Sequence, residues 1–367
     1  FLPALTVCTL RAAVEETSEF AADDPASADI RLGAFTYPVS SAIGPLQVSG
    51  RLTLDIRGAG ARETVVEGDG GDRVFDVDRF SDGADLTLRR LTVRGGGTDE
   101  VGGNIQARGQ GFFHGFDIAI EAGAAGRGGG LGVHDLASAT LTDSTVSGNS
   151  AFLDQSGGGD GAGIYAAGQN LELTNVTVSG NDGEGSGGGV AVFSGSYDFA
   201  SITVTDNTVD DGDGGGVFFA DEEAGEVGNS VIAGNTDDGD GAAPDCAGLV
   251  DSVGHNLVGV AGGSCGFVSV GDQTGSAASP VDAVLGPLAD NGGDTDTHAP
   301  LGGSPVVDRG DPVDCPSSDQ RGLARPFDGD GDGDARCDIG AVESGQVFIF
   351  SDGFESGDAS RWLVVQP

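Results

Sequence analysis

Four stretches of this chain repeat one pattern, and that repetition limits the fold more than any local motif does. Gly128 begins GGGLGVHDLASATLTDSTVSGN, Gly161 begins GAGIYAAGQNLELTNVTVSGN, Gly187 begins GGGVAVFSGSYDFASITVTDN and Gly214 begins GGGVFFADEEAGEVGNSVIAGN. Each closes on an equivalent asparagine: Asn149, Asn181, Asn207 and Asn235. The units recur at intervals from the mid-twenties to the low thirties of residues, with insertions such as AFLDQSGGGD placed between them. Strands keep their register while loop tips absorb the extra length.

Within a unit the order is a glycine-rich corner, a short strand (residues 190–193), a polar corner, and a second strand (residues 201–205) ending at the asparagine. Alternation across residues 171–178 turns Leu171, Leu173, Val176 and Val178 inward, with a turn near Asn175 shifting the phase by one. A single unit cannot bury its apolar face, so units must stack with parallel strands about 4.7–4.9 Å apart around a dry interior. Glycine allows positive φ and close backbone approach at the corners. The asparagines can take the left-handed conformation and hydrogen-bond along the stack as an amide ladder. Weaker copies of the pattern in LTLDIRGAG, RVFDVD, LTLRRLTVRGGG and FDIAIEAG start the stack near Arg51.

Composition agrees. There are 68 glycines without a G-X-Y period, which excludes collagen and favours turn-dense β structure. The formal net charge is -41, all 17 basic residues are arginine, and residues 128–308 hold 27 acids and no Arg or Lys. Such a surface repels phosphates, so nucleic acid is excluded as a partner, and anionic lipid and polyuronate are disfavoured. No apolar run is long enough for a membrane-spanning segment. The five cysteines lack paired zinc spacing. Cys246 with Cys265, and Cys315 with Cys337, would each close a short loop worth roughly 3 kcal/mol. Disulfides imply an oxidising, extracellular setting, with Cys8 left over. No signal peptide is visible before Leu10, so a processed or trimmed form is expected.

Both ends need covering, because an open strand edge invites pairing. Thr9 is a candidate N-cap for a helix through Glu16 with Leu10, Ala13 and Val14 on one face. The apolar FLPALTV ahead of it could instead pair with a neighbouring molecule. The segment CTLRAAVEET (residues 8–17) resembles the CSLREAI-type N-terminal motif of bacterial secreted β-helix proteins. LGPLADNGGDTDTHAPLGGSPVVDRGD (285–311), DQRGLARP (319–326) and CDIGAVE (337–343) resemble the choice-of-anchor Q domain that follows such helices. The resemblance implies a right-handed parallel β-helix, export, and a cell-surface or extracellular destination, mostly without an assigned reaction. Two departures stand out. Cys8 lacks the usual upstream cysteine, and the tail FIFSDGFESGDASRW looks like a short proteobacterial C-terminal motif without an anchor helix.

The expectation is thus an all-β chain: a right-handed parallel β-helix (solenoid) with a short N-terminal capping helix and a loop-rich C-terminal region. Its divisions are 1–50 as the cap, 51–262 as the helix, 263–343 as the choice-of-anchor Q-like region and 344–367 as the tail. In PFDGDGDGDARCD, Asp328, Asp330 and Asp332 have the alternating spacing of oxygen ligands to a hard cation, with Asp334 and Asp338 in reach, although Ile339 stands where an EF-hand places glutamate. Structural calcium is expected there, beside the Cys315–Cys337 bridge.

Parallel β-helices also host pectate lyases and polygalacturonases, which need an Arg or Lys base near acids, or two carboxylates at a set distance. Only Arg89, Arg90, Arg94, Arg108 and Arg127 are available near the coils, and they read first as salt-bridge residues. His255, His298, His114 and His134 read as structural or isolated. The leading function is a non-catalytic extracellular structural protein, either displayed on the cell surface or stacked end to end into filaments. An adhesin or glycan-binding module, and a polysaccharide lyase or hydrolase, are the alternatives.

Overall fold

The computed structural model describes residues 9–21, 25–79, 83–153, 157–220, 224–239, 243–262 and 265–345. Cys8, the apolar segment before it and the tail from 346 onward lie outside the described residues.

The Thr9 hydroxyl accepts from the Ala12 N–H and opens a helix, α1, over Leu10–Phe20. It runs a turn past Glu16, and Thr17 stays within it by donating its hydroxyl to the carbonyls of Ala13 and Val14. Leu10 and Val14 are buried at the end of the core, so the helix closes one end of the stack.

Each coil then contributes to three walls. The first contains Leu46–Ser49, Phe75–Arg79, Ile105–Gly109 and Leu131–His134; the second contains Leu52–Arg57, Asp85–Arg89 and Phe112–Phe116; the third contains Val65–Gly68, Thr92–Arg94 and Ala119–Glu121. In the middle coils the walls merge into longer runs, Ser138–Ser147, Ile164–Ser179 and Val190–Ala200. Strands of successive coils pair in parallel, and about eight turns result. The third wall shows the logic most simply. Val66, Val93, Ile120, Val146, Val178, Val204, Ile232 and Val258 stand in register, one per coil, and all are fully buried. A valine buried in this way contributes about 1.5–3 kcal/mol relative to exposure, and the β-branched shape suits a pleated surface.

The bend between the second and third walls is made by one left-handed residue per coil: Arg90, Asp117, Asp143, Asn175, Ser201, Asn229 and His255, with φ between 51° and 55°. At Asn175 this residue switches the phase, so that Leu171, Leu173, Val176 and Val178 all face the core. The ladder asparagines do not themselves adopt this conformation. It belongs to the residue before each: Gly148, Gly180, Asp206 and Gly234. That arrangement leaves the asparagine side chain pointing inward rather than around the corner.

Three boundaries differ from expectation. The stack begins at Ala26–Arg31, which pairs with Leu52–Arg57, so residues 26–49 form a first coil rather than part of a cap. This coil is half exposed and carries Pro38, which weakens its strand signal. At the other end, pairing continues to Gln273–Thr274, beyond residue 262. Within the coils, SGSYDF is not a polar corner. Tyr197 and Phe199 point inward while Ser196 and Asp198 point out, which extends the strand over Val190–Ala200.

Candidate functional site

The outer face of the third wall carries a row of threonines. Its in-register residues Thr145, Thr177 and Thr203 are nevertheless buried, because the C-terminal segment folds back along them. Thr145 donates to the Asp296 carbonyl at 2.6 Å and Thr177 to Gln320 Oε1 at 2.6 Å. Gln320 in turn donates to Thr145 and Thr295 at 2.9 Å each, and the Ala341 N–H donates to Thr203 at 3.0 Å. His298 is buried, with Nε2 2.8 Å from Ser179 Oγ and Nδ1 2.7 Å from the Gly286 carbonyl. His255 likewise places Nδ1 2.7 Å from the Arg309 carbonyl. Further along the chain's return, Val231, Leu257, Ala283, Val306 and Ile339 form a second small core.

The residues of DQRGLARP and CDIGAVE build a buried network of charges. Arg321 donates to Asp319 Oδ2 through Nε and Nη2 at 2.9 and 2.7 Å. Arg325 and Glu343, both fully enclosed, lie 3.4 Å apart. Glu343 also accepts from the N–H groups of Phe327 and Asp338 at 2.7 and 3.0 Å. Burial pushes the Glu343 carboxyl up to about 7, against the guanidinium and the two N–H donors, which favour ionisation. Burial lowers Arg325 as well, against the three carboxylates near it. Such a cluster specifies one docking geometry for the segment, since any slip would strand a charge without a partner.

The asparagine ladder runs through the interior. Asn149 Nδ2 donates to Asn181 Oδ1 at 2.9 Å, Asn181 to Asn207 at 2.8 Å, and Asn207 to Asn235 at 2.9 Å, and each oxygen also accepts the backbone N–H of the residue below. Two members were not apparent from the sequence. Asn104 donates to Asn149 at 3.3 Å, and Asp245 ends the column by accepting from both nitrogens of Asn235 at 2.9 Å and from the Val260 N–H at 2.6 Å. Burial raises the Asp245 pKa, and those hydrogen bonds oppose the rise.

The predicted cation ligands separate. Asp328 and Asp330 come together with Asp308, each offering an oxygen within 4.8 Å of the others. Asp308, from VVDRGD, was missed because it lies 22 residues before Asp330, whose N–H it accepts at 2.8 Å. Asp332 and Asp334 are exposed: Asp332 accepts the Asp334 N–H at 2.8 Å, and the Asp334 carboxylate pairs with Arg336 at 3.1 Å. Asp338 is buried in the charge network, accepting from the Asp308 N–H at 2.8 Å. Among the described residues, the five-ligand set is therefore reduced to two plus Asp308. The cysteines pair as Cys246–Cys265 and Cys315–Cys337.

Every arginine considered as a base sits against a carboxylate: Arg89 with Asp55 at 3.0 Å, Arg90 with Asp294 at 2.6 Å, Arg94 with Glu67 at 2.8 Å and Arg127 with Asp160 at 3.2 Å. Arg108 bridges the buried Asp76 and Asp78 at 3.0 and 2.9 Å. A cavity of about 420 Å³ lies at the seam between coils and C-terminal segment, where Asp206, Asp282 and His298 contribute to its wall and no arginine does. On the outside of the middle coils Tyr165, Phe193 and Phe218 form a half-buried aromatic row, with ring centroids 5.5 and 5.3 Å apart.

A family model described as a right-handed β-helix region matches residues 80–256, the stretch that forms the middle coils. The fold of the chain is that of a right-handed parallel β-helix. The match stops short of the segment that roofs the β-helix. No curated protein and no solved structure matches the chain. Among the described residues, no helix is long and apolar enough to cross a membrane, and the two disulfides are compatible with an extracellular setting.

Proposed function

We propose that this β-helix is a non-catalytic structural protein of the cell surface or extracellular space, stiff along its axis and able to join its own kind end to end. The observation that carries the reading is the engagement of Arg89, Arg90, Arg94, Arg108 and Arg127 by carboxylates. A lyase or glycosidase needs a base or acid presented to substrate, whereas these side chains pair with acids of neighbouring coils or, at Arg90, of the C-terminal segment. Incubation with pectin, alginate and neutral glycans should release neither reducing ends nor unsaturated products. Release of either would make the protein an enzyme and end this reading.

Calcium enters the proposal as a structural ion at Asp308, Asp328 and Asp330, whose oxygens suit a hard cation. Calorimetric titration with calcium chloride should give a saturable heat that Asp308→Ala abolishes; its absence from the wild type would remove the ion from the account. A second reading, an adhesin that binds glycans, is favoured by the row of Tyr165, Phe193 and Phe218, since flat aromatic faces stack on sugar rings. A glycan array with no saturable binder would dispose of it.

A further inference from the structure

The cavity of about 420 Å³ lies where the returning chain steps away from the third wall, between residues 205–206, 233–235 and 259–260 of three successive coils and residues 280–286 of the C-terminal segment. One coil earlier the same position is closed, since Ser179, the register partner of Thr205, has its hydroxyl 2.8 Å from His298 Nε2. Thr205 is only 6% exposed, yet its hydroxyl makes no hydrogen bond among the described residues and lies toward Gly234 on the cavity wall. Buried hydroxyls are ordinarily paired, so one left open inside a cavity marks a place for a polar group from outside the chain.

The charge of the wall says which kind of group. Asp206 and Asp282 are exposed on it, and Asp245 contributes from the buried end of the asparagine column. None of the three forms an ion pair among the described residues, and residues 128–308 contain neither Arg nor Lys. His298, in the same wall, has both ring nitrogens engaged, by Ser179 and by the Gly286 carbonyl. Such a wall repels anions and draws cations. A bare metal ion fits poorly, because it needs converging oxygens; among the described residues, the acids that bring three oxygens within 4.8 Å of one another are Asp308, Asp328 and Asp330, outside this cavity. Ala233 and Val281 supply apolar wall for a hydrocarbon chain, and the volume is that of a small-molecule site.

We infer that this cavity binds a small organic cation, an aliphatic amine held through its ammonium group by the Asp206 and Asp282 carboxylates, with the Thr205 hydroxyl as a further acceptor and the carbon chain against Ala233 and Val281. The site is independent of end-to-end joining of the rods.

Putrescine is the probe, titrated calorimetrically into the full chain at about 0.15 M ionic strength, where the diffuse attraction of an acidic surface is screened. One equivalent should bind saturably, whereas butanediol, of the same length without charge, should not bind. Asp206→Asn/Asp282→Asn should weaken putrescine binding about tenfold or more. Asparagine tolerates the left-handed backbone at residue 206 and keeps an oxygen for the Val284 N–H at residue 282, so circular dichroism and the melting temperature should stay unchanged. Thr205→Val, which keeps the shape and removes the hydroxyl, should weaken binding as well. Butanediol binding as tightly as putrescine would overturn the inference with no variant involved. Heat that never saturates, or an affinity unchanged in the double variant, would place the amine in the general field of the acidic surface and overturn the site.

Discussion

Asn181 is held on all sides: it accepts from both nitrogens of Asn149 and donates to the Val146 carbonyl and to Asn207. Asn181→Ala leaves several buried groups without partners at about 1–3 kcal/mol each, so urea denaturation should show a loss of about 3 kcal/mol or more. Asp245→Asn tests the end of the same column. It removes a buried charge, but it replaces one accepting oxygen with an NH₂ group where Asn235 and the Val260 N–H both require acceptors. Destabilisation of about 1–3 kcal/mol at pH 7 is expected, and a stabilised variant would mean that the charge, not the geometry, dominates. Asn149, Asn181, Asn207 and Asn235 were visible because their units align on a glycine corner. Asn104 was not, since its coil keeps little of the pattern beyond GGNI. Asp245 was hidden by its chemistry, because the last position needs two acceptors rather than a donor and an acceptor.

Inward faces of the strands were legible from alternation, as at Val176 and Val178, but what lies on their outer face was not. Alternation puts Thr145, Thr177 and Thr203 on the outer face, and the two-residue period of a strand carries no information about a segment that returns from 120 or more residues away to cover it. That roof also buries acids. Burial pushes the Asp143 carboxyl up to about 6, against a hydrogen bond from Asn175. A folded pKa raised above the model-peptide value means that this group's stabilising contribution is present below about pH 4 and is lost as the pH rises through about 6. Asp143→Asn does not titrate there. Thermal melts from pH 4 to 8 should therefore show the wild type losing ground to the variant as the pH rises, with the change centred between those pKa values. A constant difference across the range would mean that Asp143 is not buried by the segment. Glu343 should behave in the same sense with its loss extending to about 7.

At the scale of the whole rod, the coils pair only with their neighbours while the C-terminal segment lies along several of them, and where the coil-to-coil contacts dominate, stability is nearly a sum of coil and interface contributions and need not be lost everywhere at once. The Cys246–Cys265 bridge, closing 19 residues beside Phe267, ties down the last coil, whereas α1 closes the first. In the chain-entropy account a loop of this length is worth about 3 kcal/mol, and at about 1.4 kcal/mol per tenfold that corresponds to roughly two decades in the opening equilibrium of whatever unit the bridge holds. For a stack with nearest-neighbour coupling, Cys246→Ala/Cys265→Ala should raise hydrogen exchange by that amount at Val227, Val231, Leu257 and Val258, and leave Val48, Leu54 and Val93 unchanged. Fraying would then begin at the last coil, and end-to-end joining would suppress it by supplying a missing neighbour. An equal loss of protection at both ends of the rod would instead mean that all coils open as a single unit, and the nearest-neighbour description of this β-helix would fail.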